Sequence, residues 1–340
     1  MENTDFSAIS EKLSKPLQIL ITTHTNPDGD AIGSSLALSF YLKKKNHQVR
    51  VMAPDPFPDF LAWMPGHDDI LFFSRNKSEC IKAIETADLI IAADYNNFSR
   101  LNDAAPLVRQ SKALKVLIDH HLFASDEFDY KVSISKISST SELVYDFIDA
   151  SGDLHLLDKD IAECIYTGII TDTGSLSYSC NYVKTYLIIA ELVRLGIDGE
   201  HLHRLIYDTY SESRLRLLGF SISDQLIVLH EYHTAFITLS RADLDKFNHQ
   251  IGDTEGVVNY ALSIKDINLA ALFMERDGIV KVSFRSKGNF SVDKFAREHF
   301  NGGGHRNAAG ANCDTTLEET VNKFREILPQ YQATLKSVYS

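Results

Sequence analysis

The chain has 340 residues, 44% hydrophobic and 24% charged. That is ordinary globular composition, unlike a disordered, collagen-like or disulfide-scaffold chain, and its length suggests two domains. Acids outnumber bases 46 to 34, for a formal net charge of −12. This excludes ready binding to long duplex nucleic acid, which needs a basic face, and to an anionic membrane surface, but not a small anion held by metals or a few arginines. The N-terminal MENTDFSAISEKLSK has no basic region leading into an apolar run, and no stretch approaches the roughly 18 apolar residues of a membrane span. Cys80, Cys164, Cys180 and Cys313 form no C-x-x-C pair. A cytoplasmic protein with reduced, buried cysteines is the expectation.

In chain order, the apolar run Leu17–Thr23 predicts a strand and Ala31–Lys45 a helix. Strands are predicted at Gln48–Ala53, Asp69–Phe73, Asp88–Ala93 and Leu114–Ile118, with helices near Glu79–Thr86 and Leu101–Gln110. Short apolar strands alternating with helices indicate a parallel sheet covered on both faces. Helices follow at Ser139–Asp149, where Ser139 and Glu142 have the spacing of a capping box, and at Asp160–Thr171, Thr185–Leu195 and Gly199–Tyr207. Ser211–Ser221 is a connector. Strands return at Gln225–His230, Thr234–Ser240, Leu269–Glu275 and Ile279–Phe284, with helices at Glu255–Leu262, Ser291–Phe300 and Leu317–Lys336. The expected fold is α/β in two domains: a parallel-sheet domain over residues 1–195, a helical linker over 196–223, and a smaller mixed-sheet α/β domain over 224–340.

Four segments put Asp or His at the carboxyl end of a strand or of a buried apolar stretch, the edge where open parallel sheets bind ligands. His24-Thr-Asn-Pro-Asp28-Gly-Asp30 is a strand-to-helix turn, although Asp30 equally suits a helix N-cap. Asp94 ends one apolar strand and Asp119-His120-His121 another. Asp172 is the lone acid near the end of an apolar helix, where a carboxylate needs a cation or donors, or else marks a C-terminal turn. Oxygen ligands with a few imidazoles and no cysteine suit Mn²⁺, Mg²⁺ or Fe²⁺, and this many ligands suits a pair of ions sharing a carboxylate. A second constellation is Phe300-Asn-Gly302-Gly303-Gly304-His305-Arg306-Asn-Ala-Ala-Gly310, whose glycines predict an anion-approaching loop ahead of a short helix. Arg285 ends the strand upstream of it, with a guanidinium suited to phosphate. Residues 271–310 hold seven Lys/Arg against four Asp/Glu, opposite to the balance of the whole chain.

The four ordered segments resemble the motifs of the DHH phosphoesterase family, and Gly302–His305 resembles the GGGH loop of its DHH-associated domain. The resemblance covers nearly the whole chain, and Ser138–Tyr145 (SSTSELVY) is similar to the NrnA-type branch. It implies an active site between the two domains, with His24, Asp28 and Asp94 on one metal, and Asp30, Asp94, His120 and Asp172 on the other. Asp119 would orient His120, and His121 would contact the scissile phosphate. Arg285, Gly302, Gly303, Gly304 and His305 would hold substrate, Arg306 having no motif position. The implied cofactor is two Mn²⁺ ions, with Mg²⁺ or Co²⁺ as substitutes. The implied reaction is Mn²⁺-dependent hydrolysis of short single-stranded oligoribonucleotides to mononucleotides and of 3′-phosphoadenosine 5′-phosphate (PAP) to AMP. Alternatives are hydrolysis of linear dinucleotides such as pApA, and a non-catalytic nucleotide-binding module. Homodimers occur among similar proteins.

Overall fold

The computed structural model describes residues 3–338. The chain forms two compact units, one up to Thr209 and the other from Tyr210. The first is built on seven strands: β1 (Asn3–Thr4), β2 (Gln18–Thr22), β3 (Gln48–Ala53), β4 (Leu71–Phe72), β5 (Leu89–Ala93), β6 (Leu114–Asp119) and β7 (Tyr130–Ser133). Their order is β1-β7-β6-β5-β2-β3-β4, parallel throughout except for β1 on β7. Burial explains why these strands are unbroken apolar runs. Ile19 and Ile21 of β2, and Leu89, Ile91 and Ala93 of β5, enter the core on one face of the sheet. Leu20, Ile90 and Ala92 enter the core on the other. Side chains alternate along a strand, so a sheet covered on both faces needs apolar residues at every position.

From β2 the chain steps outward to β3 and β4; from β5 it steps the other way to β6 and β7. Strands β2 and β5 are neighbours, so the order reverses between them, and their carboxyl ends flank a crevice of the kind where doubly wound sheets bind ligands. The helix Gly29–Lys44 leaves β2 at this point and is buried along most of its length. It crosses the helix Lys159–Asp172 so closely that a Cβ on Gly33 would lie 2.5 Å from the Cys164 carbonyl oxygen. That crossing fixes Asp30, near the start of one helix, against Asp172, at the end of the other.

The second unit is a six-stranded mixed sheet of β8 (Leu226–Leu229), β9 (Thr234–Leu239), β10 (Leu269–Arg276), β11 (Ile279–Ser286), β12 (Gly303–Gly304) and β13 (Ala308–Cys313), in the order β12-β13-β11-β10-β9-β8. Strands β9 and β10 pair in parallel, and the other four pairings are antiparallel. Leu269, Ala271 and Phe273 of β10 face a core rich in phenylalanine. Ala270, Leu272 and Met274 face the opposite core. Among the described residues no helix is long and apolar enough to cross a membrane.

Several elements depart from expectation. Strands β1, β7, β12 and β13 are additions. The segment predicted as one helix over Leu101–Gln110 is a 3₁₀ stretch, Phe98–Ala104, with Asn102 left-handed, followed by the helix Ala105–Gln110. The predicted Leu317–Lys336 helix ends at Ile327, because Pro329 next interrupts the ladder and forces a 3₁₀ turn before Gln332–Lys336. The connector Ser211–Ser221 is a helix, Glu212–Ser223.

Gly33→Ala tests the helix crossing. Alanine favours a helix over glycine by roughly 1 kcal/mol, but the clash with a backbone oxygen should dominate and cost about 1–3 kcal/mol. Urea unfolding should show a lower midpoint with an unchanged slope; an unchanged or higher midpoint would contradict so close a crossing.

Candidate metal centre

Each sequence-selected Asp and His of the first unit lies where an element ends at the crevice. His24 follows β2, and Asp28 caps the Gly29–Lys44 helix, its Oδ1 accepting from the N–H groups of Asp30 (3.1 Å) and Ala31 (3.0 Å). The cap is therefore Asp28, which leaves the Asp30 carboxylate to other work. Asp94 follows β5 with φ of 65°. Left-handed backbone at a non-glycine residue costs of order 1–3 kcal/mol and persists where its surroundings over-determine it; here the Asp94 N–H donates to Ile118 O on the neighbouring strand at 3.1 Å. Asp119 ends β6, with His120 and His121 just beyond, and Asp172 ends its helix.

The ligand atoms of His24, Asp28 and Asp94 all lie within 4.8 Å of one another, as do those of Asp30, His120 and Asp172. Asp94 faces both groups: its Oδ2 is 3.5 Å from His24 Nε2 and its Oδ1 is 3.6 Å from His120 Nε2. His120 Nε2 is also 3.5 Å from Asp172 Oδ2 and 3.9 Å from Asp30 Oδ2. These separations are too long for hydrogen bonds. With ligand distances of about 2.0–2.2 Å, atoms up to roughly 4 Å apart can share one ion. His24 Nδ1 donates to Thr25 O at 2.8 Å, which orients the ring and leaves Nε2 turned to Asp94.

Asp119 differs from expectation. Rather than orienting His120, its Oδ1 pairs with His121 Nδ1 at 2.7 Å. Side chains two apart share a side of an extended chain, so residues 119 and 121 meet while His120 turns toward Asp30, Asp94 and Asp172. Asp119, Asp94 and His121 form a further compact group.

The electrostatics favour a bound cation. Asp30, Asp94 and Asp119 are 1%, 2% and 0% exposed. Among the described residues, the ion-pair partners of these three are imidazoles alone. Burial, then the charges of Asp94 and Asp172, push the Asp30 carboxyl well above its usual range. Burial alone would also raise Asp94, but His24, His121 and His120 hold it below the usual range. Burial lowers His121, yet Asp119 and Asp94 together raise it and favour the imidazolium. The Asp119 Oδ2 atom is buried with no hydrogen-bond partner. Such a cluster carries more negative charge than its imidazoles can balance, and its mixed oxygen and imidazole donors fit hard divalent ions.

One set of contributors escapes the motif reading. Thr140 N–H and Ser141 N–H, at the start of the helix Thr140–Ala150, donate to the two oxygens of Asp30 at 2.7 and 2.8 Å. Thr140 Oγ1 donates to Asp94 Oδ1 at 2.9 Å. The signal in the sequence is the SSTSE run, whose pattern points to a helix cap and not to buried donors. Its expected capping box is half formed: Ser139 accepts from Glu142 N–H, but the Glu142 carboxylate turns to Ser138.

In the second unit the glycine-rich segment follows the helix Val292–Phe300 and enters a hairpin rather than another helix. The glycines permit close strand approach: a Cβ on Gly302 would lie 2.2 Å from Gly310 O, and one on Gly304 2.6 Å from Ala308 O. Gly303 forms β12 with Gly304, whose N–H already donates to Asp293 Oδ1 at 2.9 Å. His305 is half-buried at the turn, where its N–H donates to Ala308 O. Arg285 pairs in register with Ala308, and its guanidinium donates to Phe284 O at 3.0 Å. Arg306 is exposed and donates to Asn289 Oδ1 at 3.0 Å. Asn307, unpredicted, ties the hairpin to residues 286–290 through Ser286 Oγ, Gly288 O and Phe290 O.

Divalent ions should stabilise the protein. At free Mn²⁺ a hundredfold above its dissociation constant, each site adds about 2.7 kcal/mol. Differential scanning calorimetry should show a higher melting temperature with Mn²⁺ that EDTA reverses; no shift at millimolar Mn²⁺ would contradict the cation assignment.

Residues 18–169 match the DHH family, N-terminal domain, and residues 234–334 match the DHHA1 domain. The "Probable bifunctional oligoribonuclease and PAP phosphatase NrnA" of Streptococcus mutans is 30% identical over 95% of this chain and 98% of its own length. The bifunctional oligoribonuclease and PAP phosphatase NrnA of Bacillus subtilis is 28% identical over 86% of this chain and 88% of its own. The crystal structure of an exopolyphosphatase-related protein from Bacteroides fragilis superposes with a TM-score of 0.94 at 42% identity, covering 98% of this chain and 97% of that one. Motif order, domain pair and relatives over nearly the full length agree: the chain belongs to the DHH family and joins a DHH N-terminal domain to a DHHA1 domain.

Proposed function

We propose that this protein is a metal-dependent phosphoesterase that hydrolyses short oligoribonucleotides to mononucleotides and PAP to AMP. The observation that carries the reading is the convergence of two ligand groups on Asp94, one oxygen turned to each. The names of the Streptococcus mutans and Bacillus subtilis relatives support the substrates.

His24, Asp28 and Asp94 would hold one Mn²⁺ ion, and Asp30, Asp94, His120 and Asp172 the other, with Mg²⁺ or Co²⁺ as substitutes. When bound, such a pair supplies an activated water at neutral pH and charge stabilisation for the phosphoryl group. Asp94, left-handed just past the end of β5, presents one oxygen toward His24 and the other toward His120. The His24 ring is held by its own neighbour's carbonyl, so no rotation is needed to present Nε2. His121, held by Asp119 through a 2.7 Å hydrogen bond, would contact the scissile phosphate. Arg285 and His305 would bind substrate phosphate, with Gly302, Gly303 and Gly304 keeping side chains out of its way. The net charge of −12 disfavours a long polyanion, so substrates should be small.

Product analysis with Mn²⁺ tests this on four substrates side by side: a labelled RNA dinucleotide, a long single-stranded RNA, PAP and pApA. Turnover should be appreciable on the dinucleotide and on PAP and should fall as the RNA lengthens. Equal rates on the long strand would contradict the size limit. The pApA arm ranks the linear-dinucleotide alternative, and no turnover on any substrate would replace the enzyme reading with a nucleotide-binding module.

Two substitutions separate the roles. Asp94→Ala should abolish turnover, and near-normal rates would overturn the shared-carboxylate assignment. Arg285→Ala should mainly raise KM, by roughly 10- to 100-fold for one lost charge-assisted contact of about 1.5–3 kcal/mol; a loss confined to kcat would contradict its binding role.

A further inference from the structure

The run Ser138-Ser139-Thr140-Ser141-Glu142 consists wholly of polar residues, yet each is at most 1% exposed. Five consecutive buried polar residues are costly unless paired, at about 1–3 kcal/mol for each unmade hydrogen bond. Apart from the Ser141 hydroxyl, which is buried with no hydrogen-bond partner among the described residues, their pairing is organised around the metal centre. Thr140 and Ser141 place one N–H on each oxygen of Asp30. Thr140 adds its hydroxyl to Asp94 Oδ1. Ser139 caps the same helix turn, accepting from Glu142 N–H at 3.1 Å. Glu142 accepts from the N–H and hydroxyl of Ser138, and from the Thr185 hydroxyl at 2.8 Å. Buried hydrogen bonds thus tie Thr185, on the helix Val183–Arg194, through Glu142 to Ser138 and Ser139, which directly precede the two residues that grip Asp30 and Asp94.

We infer that Ser138–Glu142, braced by Thr185, is a positioning platform for the metal ligands Asp30 and Asp94. This rests on the reading that those two carboxylates hold metal. Its working parts are physical. The N–H pair at a helix start fixes the plane of the Asp30 carboxylate and favours its charge, while leaving each oxygen a lone pair for a cation. The Thr140 hydroxyl donates to one oxygen of Asp94 and so sets the rotamer of the carboxylate shared by both ligand groups. Glu142, whose Oε2 accepts from both Ser138 and Thr185, fixes the height of the helix turn, and with it the position of both donors. The space is tailored as well: a Cβ on Gly168 would lie 1.9 Å from Ser141 Oγ and 2.7 Å from Asp30 Oδ1. Only glycine at that position lets the platform and the carboxylate meet. Thr140 and Thr185 touch no reacting atom in this account; they act through Asp94, Asp30 and Glu142.

The test is Mn²⁺ binding to the full chain, read from the electron paramagnetic resonance signal of free Mn²⁺ during titration. Far-UV circular dichroism confirms folding in each variant. Thr140→Val keeps shape and both backbone donors but removes the hydroxyl; it should weaken Mn²⁺ binding about 10- to 100-fold, as loss of a partner behind a metal ligand does, while Thr140→Ser should stay within about threefold of wild type. If Thr140→Val does not fold, Thr185→Val supplies the answer from outside the ligand set. It leaves Glu142 one donor short and should weaken binding about three- to tenfold, with Thr185→Ser restoring it. A purely structural role predicts altered thermal stability with unchanged Mn²⁺ affinity in the folded variants, and that result would overturn the platform. A wild-type chain that binds no Mn²⁺ would overturn the metal reading and the platform with it; normal wild-type binding with normal binding by the valine variants would overturn the platform alone.

Discussion

Everything in the first unit answers to one constraint, the burial of Asp30, Asp94 and Asp119 at the carboxyl edge of a parallel sheet. Charges removed from water need partners, and among the described residues lysine and arginine are absent from the ion pairs of these three. The fold supplies backbone N–H groups, hydroxyls and imidazoles instead. It arranges the remaining lone pairs to face one another at separations that a divalent cation closes and a hydrogen bond does not. Asp30 shows the balance best: burial and two neighbouring carboxylates work against its charge, while a helix start works for it. The result is a cluster that is electrostatically incomplete as side chains alone.

The sheet topology makes such a cluster possible. Because strand order reverses between β2 and β5, the chain leaves them in opposite directions and opens a crevice with His24 on one wall and Asp94 on the other. Asp119 and His120 arrive from the next strand, β6, and Asp172 arrives on a helix pressed against the one that carries Asp30. Four separate segments of sequence meet only because strand order and a glycine-lined helix crossing bring them together. The same helix crossing that packs the core thus carries Asp30 and Asp172, which ties packing in the core to chemistry at the edge.

What could be read from the sequence, and what could not, follows from the kind of signal each part carries. Strands β2, β5 and β6 were legible because two-sided burial writes them as unbroken apolar runs, and the acids and imidazoles after them stand out by contrast. Strand β13, Ala308–Cys313, has no β-branched or aromatic residue and owes its conformation to pairing with β11, so propensity is silent there. That pairing turns the Gly302–Gly304 segment into a hairpin strand where an anion loop before a helix was expected. The partnership of Asp119 with His121 rather than His120 depends on which way the chain faces after β6, a property of three dimensions. The Ser138–Glu142 run was the largest omission. Small hydroxylated residues and glutamate are ordinarily surface residues, and nothing in their order tells that all five lie inside, with two of them holding Asp30 and one of those two also holding Asp94.

The central claim is that Asp94 is shared between two divalent cations. Anomalous diffraction at the manganese edge, from crystals of the full chain grown with Mn²⁺, tests it directly. The account predicts two peaks roughly 3.5–4 Å apart flanking the Asp94 carboxylate, one among His24, Asp28 and Asp94 and the other among Asp30, His120 and Asp172. A single peak, or two peaks with Asp94 bound to only one of them, would contradict it.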